Sequence, residues 1–179
     1  MKKIYVALLV TNLIAVACFA QKGKNYIGGG AEVSLPMGEF ADDFKRGMGF
    51  YIKGLLGVGQ SGAVTLTTGY SAFKEIADFD ETTTTAGIVP MLIGYRHKFN
   101  GFFVEPQLGY ALYPYKHNSW EDGFYTTTGN AFTWALGTGY VFKNNIEVGA
   151  RYQSGTSTGI TVGVFGLHLG YNFSLSGSK

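Results

Sequence analysis

Over most of the chain, large apolar side chains alternate with small or polar ones, and this two-residue period constrains the fold more than any other feature. Successive side chains of a β-strand point to opposite faces, whereas an amphipathic helix needs a period near 3.6. In residues 160–173, for example, Phe165 and Leu167 share one face while Gly166 and His168 share the other. The chain is therefore expected to be all-β.

The alternation divides into segments separated by connections of two kinds. It predicts eight strands at 26–37, 47–58, 63–73, 87–99, 102–114, 129–142, 146–153 and 160–173. The tight turns are Gln60-Ser61, Asn100-Gly101 and Lys143-Asn144-Asn145, and the longer loops are 38–46, 74–86, 115–128 and 154–159. Short periplasmic turns alternating with longer extracellular loops are typical of bacterial outer-membrane barrels.

The direction of the apolar face distinguishes a soluble barrel from a membrane barrel. The interior of an eight-stranded barrel is only just wide enough for side chains to fill it, so it cannot hold several bulky residues from every strand. The other face, rich in the chain's 27 glycines, would make an unusual water-exposed surface. We therefore expect an eight-stranded antiparallel up-and-down transmembrane β-barrel, closed because no backbone group can stay unpaired in lipid.

The charged residues avoid the apolar face. Nine of the twelve acidic residues fall in the four long loops. The charged residues inside strands share the small-residue face, with Lys98 at its periplasmic rim; they are Glu32, Lys53, Arg96, Glu105, Glu147 and Arg151. A charge facing the middle of the bilayer would cost about 2–4 kcal/mol for Arg or Lys, so this placement favours a bilayer-facing apolar surface.

Aromatic residues gather near both ends of the strands, as expected for girdles at the two membrane interfaces. The set near the turns is Tyr95, Phe99, Phe102, Tyr140, Phe142, Tyr171 and Phe173. The set near the loops is Phe50, Tyr70, Phe73, Tyr110, Tyr115, Phe132, Trp134 and Tyr152.

The first twenty residues form a separate segment. Lys2 and Lys3 precede an apolar stretch and small residues near Ala20, which predicts a signal peptide over 1–20 and a barrel domain over 21–179. The alternatives are an anchor helix and a lipoprotein acylated at Cys18. Cleavage would leave twelve basic and twelve acidic residues and no cysteine, which excludes disulfides and thiol catalysis; no basic patch favours nucleic acid.

A polar network is expected inside the barrel. The two-residue Asn100-Gly101 turn places Arg96 directly opposite Glu105, which predicts a cross-strand ion pair. The predicted network comprises Glu32, Lys53, Arg96, Glu105, Gln107, Glu147, Arg151 and His168. Its three positive and three negative groups are interpreted as a neutralising plug, and the alternative is a selectivity ring in a narrow pore. Neither histidine spacing nor acidic spacing predicts a metal site.

One pair of strands resembles a known family. Residues 88–96, the Asn100-Gly101 turn and residues 102–110 resemble paired strands of the outer-membrane β-barrel domain common in Bacteroidetes, including PorT-like proteins. The resemblance covers 21–173 and implies the same barrel fold, with an accessory role in protein secretion as one functional possibility. Residues 174–179 depart from the family's terminal aromatic, because they extend past Phe173.

The functional expectation is an integral outer-membrane protein, exported and non-enzymatic, that has a structural or surface-interaction role through its loops. Exposed Trp120, Phe124 and Tyr125 are candidate contacts for a protein partner, since aromatic rings dominate contact energies. Other expected partners are outer-membrane lipid and lipopolysaccharide, and the protein is expected to be a monomer without cofactors. The alternatives are a narrow solute pore, a secretion accessory and a lipid-modifying hydrolase.

Overall fold

The protein folds into a closed barrel in which every strand pairs antiparallel with the next and the last pairs with the first. The computed structural model describes residues 23–76, 83–119, 123–157 and 159–175. The strands are β1 (Tyr26–Met37), β2 (Gly47–Val58), β3 (Gly62–Lys74), β4 (Thr83–Phe99), β5 (Phe102–Ser119), β6 (Gly123–Val141), β7 (Ile146–Ser157) and β8 (Ile160–Ser174). No helix among these residues is long and apolar enough to cross a membrane. The predicted fold and strand number are confirmed.

The two faces of the strands follow the sequence alternation. Leu66 on β3 and Leu169 on β8 are 65% and 58% exposed on the outside, where lipid would contact them, whereas Thr65 and Ala131 are buried inside. Small inward residues leave room for the longer polar side chains, and the large apolar residues form the outer belt. The barrel therefore presents apolar surface outward, as predicted.

The β4–β5 hairpin fixes the register of the interior. Asn100 and Gly101 have φ values of 50° and 95°, the positive values that a type I′ turn requires at both central positions. Phe99 then pairs with Phe102, and Gly94 pairs with Gln107 further along the same ladder. Arg96 and Glu105 consequently lie opposite each other on the inward face.

Four strands extend by more than one residue into segments that the sequence assigns to loops. One is β7, which continues through residues 154–157, and the other three are the neighbours β4, β5 and β6. Residues 83–86, 115–119 and 123–128 were assigned to loops, but they continue β4, β5 and β6 beyond the rest of the barrel. These three stretches together are called the wall. Their threonine and aromatic content favours extended backbone, and this outweighs the polar composition that suggested loops.

The first extracellular loop contains a short helix, α1 (Glu39–Asp43), which the sequence alternation did not predict. The loop is bonded to the end of β3 and the start of the β3–β4 connection: Lys45 N donates to Lys74 O at 2.8 Å, and Ile76 N donates to Asp43 O at 2.8 Å. Phe44 also forms an isolated bridge with Glu75. These bonds hold α1 against the mouth of the barrel.

The predicted girdle near the loops needs a correction at two positions. Phe73 is completely buried and Tyr115 packs against the same interior cluster, so both side chains face into the barrel rather than toward lipid. Phe50, Tyr110 and Phe132 are exposed on the outer face. The error arose because the two residues were assigned by their distance from the loop and not by the parity of their strands.

Candidate functional site

The eight residues predicted for the interior network all lie inside the barrel. They come from six strands, β1, β2, β4, β5, β7 and β8, and none is more than 8% exposed. We call this set the polar layer; it comprises Glu32, Lys53, Arg96, Glu105, Gln107, Glu147, Arg151 and His168. Six strands therefore contribute to one cross-section of the lumen.

Arg96 connects two of the buried carboxylates. Its Nε donates to Glu105 Oε2 at 2.7 Å, so the predicted ion pair is present. Nη1 and Nη2 donate to the two oxygens of Glu147 at 2.6 and 2.9 Å, which is the bidentate geometry that the planar guanidinium favours. The guanidinium carbon also lies 3.7 Å from the centre of the Phe103 ring. Arg96 is held on both sides by opposite charge.

Glu105 receives further donors from β2, β3 and its own strand. Lys53 Nζ lies 3.0 Å from its Oε2, and Thr65 Oγ1 and Gln107 Nε2 donate to Oε1 at 2.9 and 2.7 Å. A buried carboxylate is tolerated when its lone pairs are satisfied in this way. Each oxygen of Glu105 is therefore bonded.

A second ion pair lies beside the first group. Arg151 Nη2 donates to the two oxygens of Glu32 at 3.1 and 3.0 Å, and Ser34 Oγ donates to Glu32 at 3.2 Å. Gly166 makes room for this carboxylate, because a Cβ at that position would lie 2.7 Å from Cδ of Glu32. The absence of a side chain at Gly166 thus shapes the interior.

His168 faces the interior as predicted, but its contacts do not resemble a catalytic or metal-binding arrangement. Its Nε2 lies 3.4 Å from Glu147 Oε1, which is longer than a well-aligned hydrogen bond, and its ring packs edge-on against Tyr51 at 5.2 Å. Asn172 Nδ2 donates to the other oxygen of Glu147 at 2.9 Å. Within the described residues, no three His, Cys, Asp or Glu are grouped as a metal site.

The polar layer leaves little free space. The cavity bordered by Lys53, Glu105, Arg151 and His168 measures about 10 Å³, roughly the space that one water molecule needs. A lumen with three buried carboxylates, each paired with a cation, has no net charge to select ions. This geometry favours the plug over the selectivity ring.

An apolar cluster closes the lumen on the extracellular side of the polar layer. We call it the apolar layer; its buried members are Phe40, Phe44, Phe73, Ala86, Ile88, Ala111, Tyr113, Ala131, Val162 and Val164. The Phe40 ring of α1 lies 4.7 Å from the ring of Phe44 and 5.2 Å from that of Phe73. The first loop thus inserts aromatic side chains into the mouth of its own barrel.

The sequence reasoning missed this second layer. Phe73 and Tyr113 share strand parity with the inward residues Thr65 and Glu105, so parity alone could have identified them. Phe40 and Phe44 carried no comparable signal, because a five-residue helix is too short to show a 3.6-residue period.

The opposite, periplasmic end of the lumen is an open vestibule. A cavity of about 290 Å³ there is bordered by Lys24, Lys98, Leu55 and Ala63, of which the last two are buried. Lys98 Nζ lies 5.1 Å from the centre of the Tyr26 ring. The vestibule ends in buried side chains and not in a passage.

The aromatic residues predicted for loop contacts are distributed differently from the expectation. Phe124 and Tyr125 belong to β6, where their backbones pair with Asn118 and His117 of β5. Trp120 lies outside the described residues. The candidate interaction region is therefore mainly a sheet, the wall, and not a loop.

Solved structures similar to this chain are outer-membrane barrels. Ail, the attachment invasion locus protein of Yersinia pestis, in complex with the heparin analogue sucrose octasulfate, is 18% identical with a TM-score of 0.68, covering 86% of this chain and 100% of that one. The N-terminal β-barrel domain of Pseudomonas aeruginosa OprF is 16% identical (TM-score 0.57; 85% and 100% covered). Neisserial surface protein A is 13% identical (TM-score 0.57; 84% and 97% covered). These identities show a shared fold alone.

A search of curated proteins found no match. A family model, described as the outer membrane protein beta-barrel domain, matches residues 6–173, which is nearly the whole chain. With the closed barrel and its outward apolar belt, this match establishes that the chain belongs to the outer membrane protein β-barrel domain family and is an integral protein of the bacterial outer membrane.

Proposed function

We propose that this barrel acts at the cell surface through the wall and the adjoining loops, and that it neither conducts solutes nor catalyses a reaction. The observation that carries the proposal is the unequal length of the strands around one barrel. The interior is filled by the two layers. The strands that form the wall are longer than a membrane-spanning strand has to be, so the wall is the part of the molecule available for binding.

The wall extends well past the bilayer. A strand rises about 3.3 Å per residue and tilts by about 40° in such barrels, so the 12 residues of β1 span about 30 Å along the membrane normal. The 19 residues of β6 span about 48 Å on the same basis. An apolar band about 25 Å tall is enough to cross the membrane, and the remaining height of β6 lies outside it.

The charge of the extracellular end indicates what kind of partner it favours. The four segments 38–46, 74–86, 115–128 and 154–159 contain nine acidic and four basic residues, which gives a net charge of −5. Ail was crystallised with a sulfated heparin analogue. A net-negative surface repels such a ligand, so we infer that this chain instead binds a protein partner with basic residues.

The absence of enzyme activity is also part of the proposal. Among the described residues, the buried charged side chains of the lumen are bonded to one another, and the cavity that they border has room for about one water molecule. The family and the similar barrels support a non-catalytic role. We further propose that the protein is a monomer whose outer belt contacts lipid and lipopolysaccharide.

Two alternatives receive less support. A PorT-like role in secretion is not favoured, because the similar structures are Ail, OprF and NspA. A narrow pore would require a passage through both layers, and the two layers fill the lumen at successive levels. Purified protein in planar bilayers is expected to show no stable single-channel steps, and ion-selective steps would contradict the filled lumen.

The wall itself can be tested by shortening it. Odd-numbered residues of β5 and β6 are hydrogen-bonded to each other, and Tyr113 pairs with Gly129 in this register. An Asn-Gly turn replacing residues 114–128 would therefore close the β5–β6 hairpin at an existing hydrogen-bonded pair. Cells that express this variant are expected to lose adhesion to protein-coated surfaces, while the variant still migrates as a folded, heat-modifiable barrel. Adhesion equal to that of the full protein would refute the proposed function.

A further inference from the structure

The outer part of β6 is bonded on one side only. Its ladder with β5 runs the full length of the strand, from Ser119 paired with Gly123 down to Phe102 paired with Tyr140. Its ladder with β7 stops at Thr133, which pairs with Gly155. Among the described residues, the stretch from Gly123 to Gly129 is paired with no residue of β7.

The ladder geometry identifies which backbone groups face this open side. Val141 N donates to Gly101 O toward β5, whereas Phe142 N donates to Ile146 O toward β7. Neighbouring residues of a strand direct their N–H and C=O groups to opposite sides, and the β5–β6 register is constant. Even-numbered residues thus face the open side, and the backbone groups of Thr126 and Thr128 lie along it.

This edge lacks the features that normally keep strand edges from pairing. Natural edges carry charged residues, proline or a bulge, or they are covered. From Gly123 to Thr133 the chain has no charged residue and no proline, and Thr126, Thr127 and Thr128 are exposed, β-branched residues suited to a strand. The edge can therefore pair with another strand.

We propose that the open edge of β6 binds an extended segment of a partner protein by β-strand addition, the partner's segment being β-prone and flanked by Lys or Arg. This inference rests on the proposed surface role of the wall and specifies how it is carried out. Backbone hydrogen bonds to Thr126 and Thr128 supply affinity, as in other strand-addition complexes. The net charge of −5 on the surrounding loops supplies the preference for basic flanks.

A second copy in the same membrane does not fit this edge. In two barrels inserted side by side in one membrane, the β6 strands run in the same direction, so they could pair only as parallel strands. In a dimer with a two-fold axis along the membrane normal, each residue of one β6 would lie opposite the identical residue of the other. The N–H group of Thr128 would then face its own equivalent, whereas a parallel ladder requires the strands to be offset by one residue. The occupant is therefore a strand of a different protein.

The test uses a phage-displayed decapeptide library selected on the full protein in lipid nanodiscs. Proline at position 128 removes the outward N–H without breaking the β5–β6 ladder, and edge strands tolerate proline whose nitrogen faces solvent. Thr128→Val keeps the N–H and the shape, so it is the matched control. We expect selected peptides to be β-prone with basic flanks, and to bind Thr128→Pro at least tenfold more weakly than Thr128→Val.

Several results would overturn the inference. One is a set of binders that does not distinguish Thr128→Pro from Thr128→Val, or the recovery of no binders. Another is agglutination of vesicles carrying only this protein, which would indicate pairing between copies in opposing membranes. Thr126→Pro repeats the test if the first variant fails to fold, as judged by heat-modifiable migration. If the wall-shortened variant loses adhesion but Thr128→Pro does not, strand addition at the β6 edge is refuted while the proposed surface role of the wall is retained.

Discussion

The polar layer and the apolar layer fill one barrel at successive levels, but they depend on different interactions. In the polar layer each buried charge has an opposite charge within hydrogen-bonding distance, so its stability depends on complete pairing. In the apolar layer Phe40 and Phe73 contribute through packing, and each contact is replaceable by another of similar shape. The comparison indicates that the polar layer tolerates few substitutions, because each charge needs its partner, whereas the apolar layer tolerates other apolar side chains of similar shape. The following substitutions test this difference.

The largest effect is expected when the polar layer loses its central cation. Arg96→Met leaves the buried carboxylates of Glu105 and Glu147 to share one lysine, Lys53, which should lower the free energy of unfolding by about 3–5 kcal/mol. Urea-induced unfolding of the protein refolded into lipid vesicles measures this change. Leu169→Met on the lipid-facing surface is the control, and a loss below about 1 kcal/mol for Arg96→Met would show that pairing does not hold the layer.

A smaller loss is expected when the space beside Glu32 is filled. Gly166→Ala places a Cβ against the carboxylate that Arg151 binds, and such overpacking costs about 1–3 kcal/mol. Gly54→Ala is the matched control, because a Cβ there meets nothing within 4 Å. Equal unfolding free energies for the two alanine variants would contradict the close fit around the Arg151–Glu32 pair.

The apolar layer should respond more mildly to a comparable change in shape. Phe73→Leu keeps an apolar side chain and is expected to cost about 1–1.5 kcal/mol, with a small rise in the accessibility of the extracellular mouth. Phe132→Leu makes the same change on the lipid-facing surface, where little loss is expected. Urea unfolding distinguishes them, and a cost for Phe73→Leu as large as that for Arg96→Met would remove the contrast between the layers.

The smallest net effect is expected when a whole ion pair is replaced. Arg151→Met alone strands the Glu32 carboxylate, whereas Arg151→Met combined with Glu32→Met removes both charges and should restore stability to within about 1 kcal/mol of the native protein. The double-mutant cycle in urea gives the coupling energy directly. Additive losses from the two substitutions would show that the pair is not a unit.

The sequence was sufficient for the membrane-spanning part because both constraints there are periodic. Lipid favours apolar and uncharged outward side chains, and the narrow interior requires the inward ones to be small or paired, so alternation alone gives strand number and face. The positions of Arg96 and Glu105 followed from one tight turn, since a two-residue loop determines the register of the whole hairpin.

The regions outside the bilayer were harder to predict because no such constraint applies to them. Residues 83–86 and 123–128 have the polarity of loops, and only their β-branched and aromatic content indicates strand. The packing of Phe40 and Phe44 into the lumen depends on a long-range contact between the first loop and β3. The residues around Phe40 and Phe44 in the sequence do not indicate such a contact, so it could not be predicted from them.

The Arg151–Glu32 pair has a consequence for the order in which the barrel forms. Its partners are 119 residues apart in sequence and lie on strands separated by β8, which pairs with both. Neighbouring hairpins such as β4–β5 close short loops at little entropic cost, but this pair requires the two ends of the chain to meet first. The ion pair can form only when β8 pairs with β1 and closes the barrel. Separating β1 from β8 then has to break the ion pair as well as the backbone hydrogen bonds, so the pair opposes opening of the barrel at that junction.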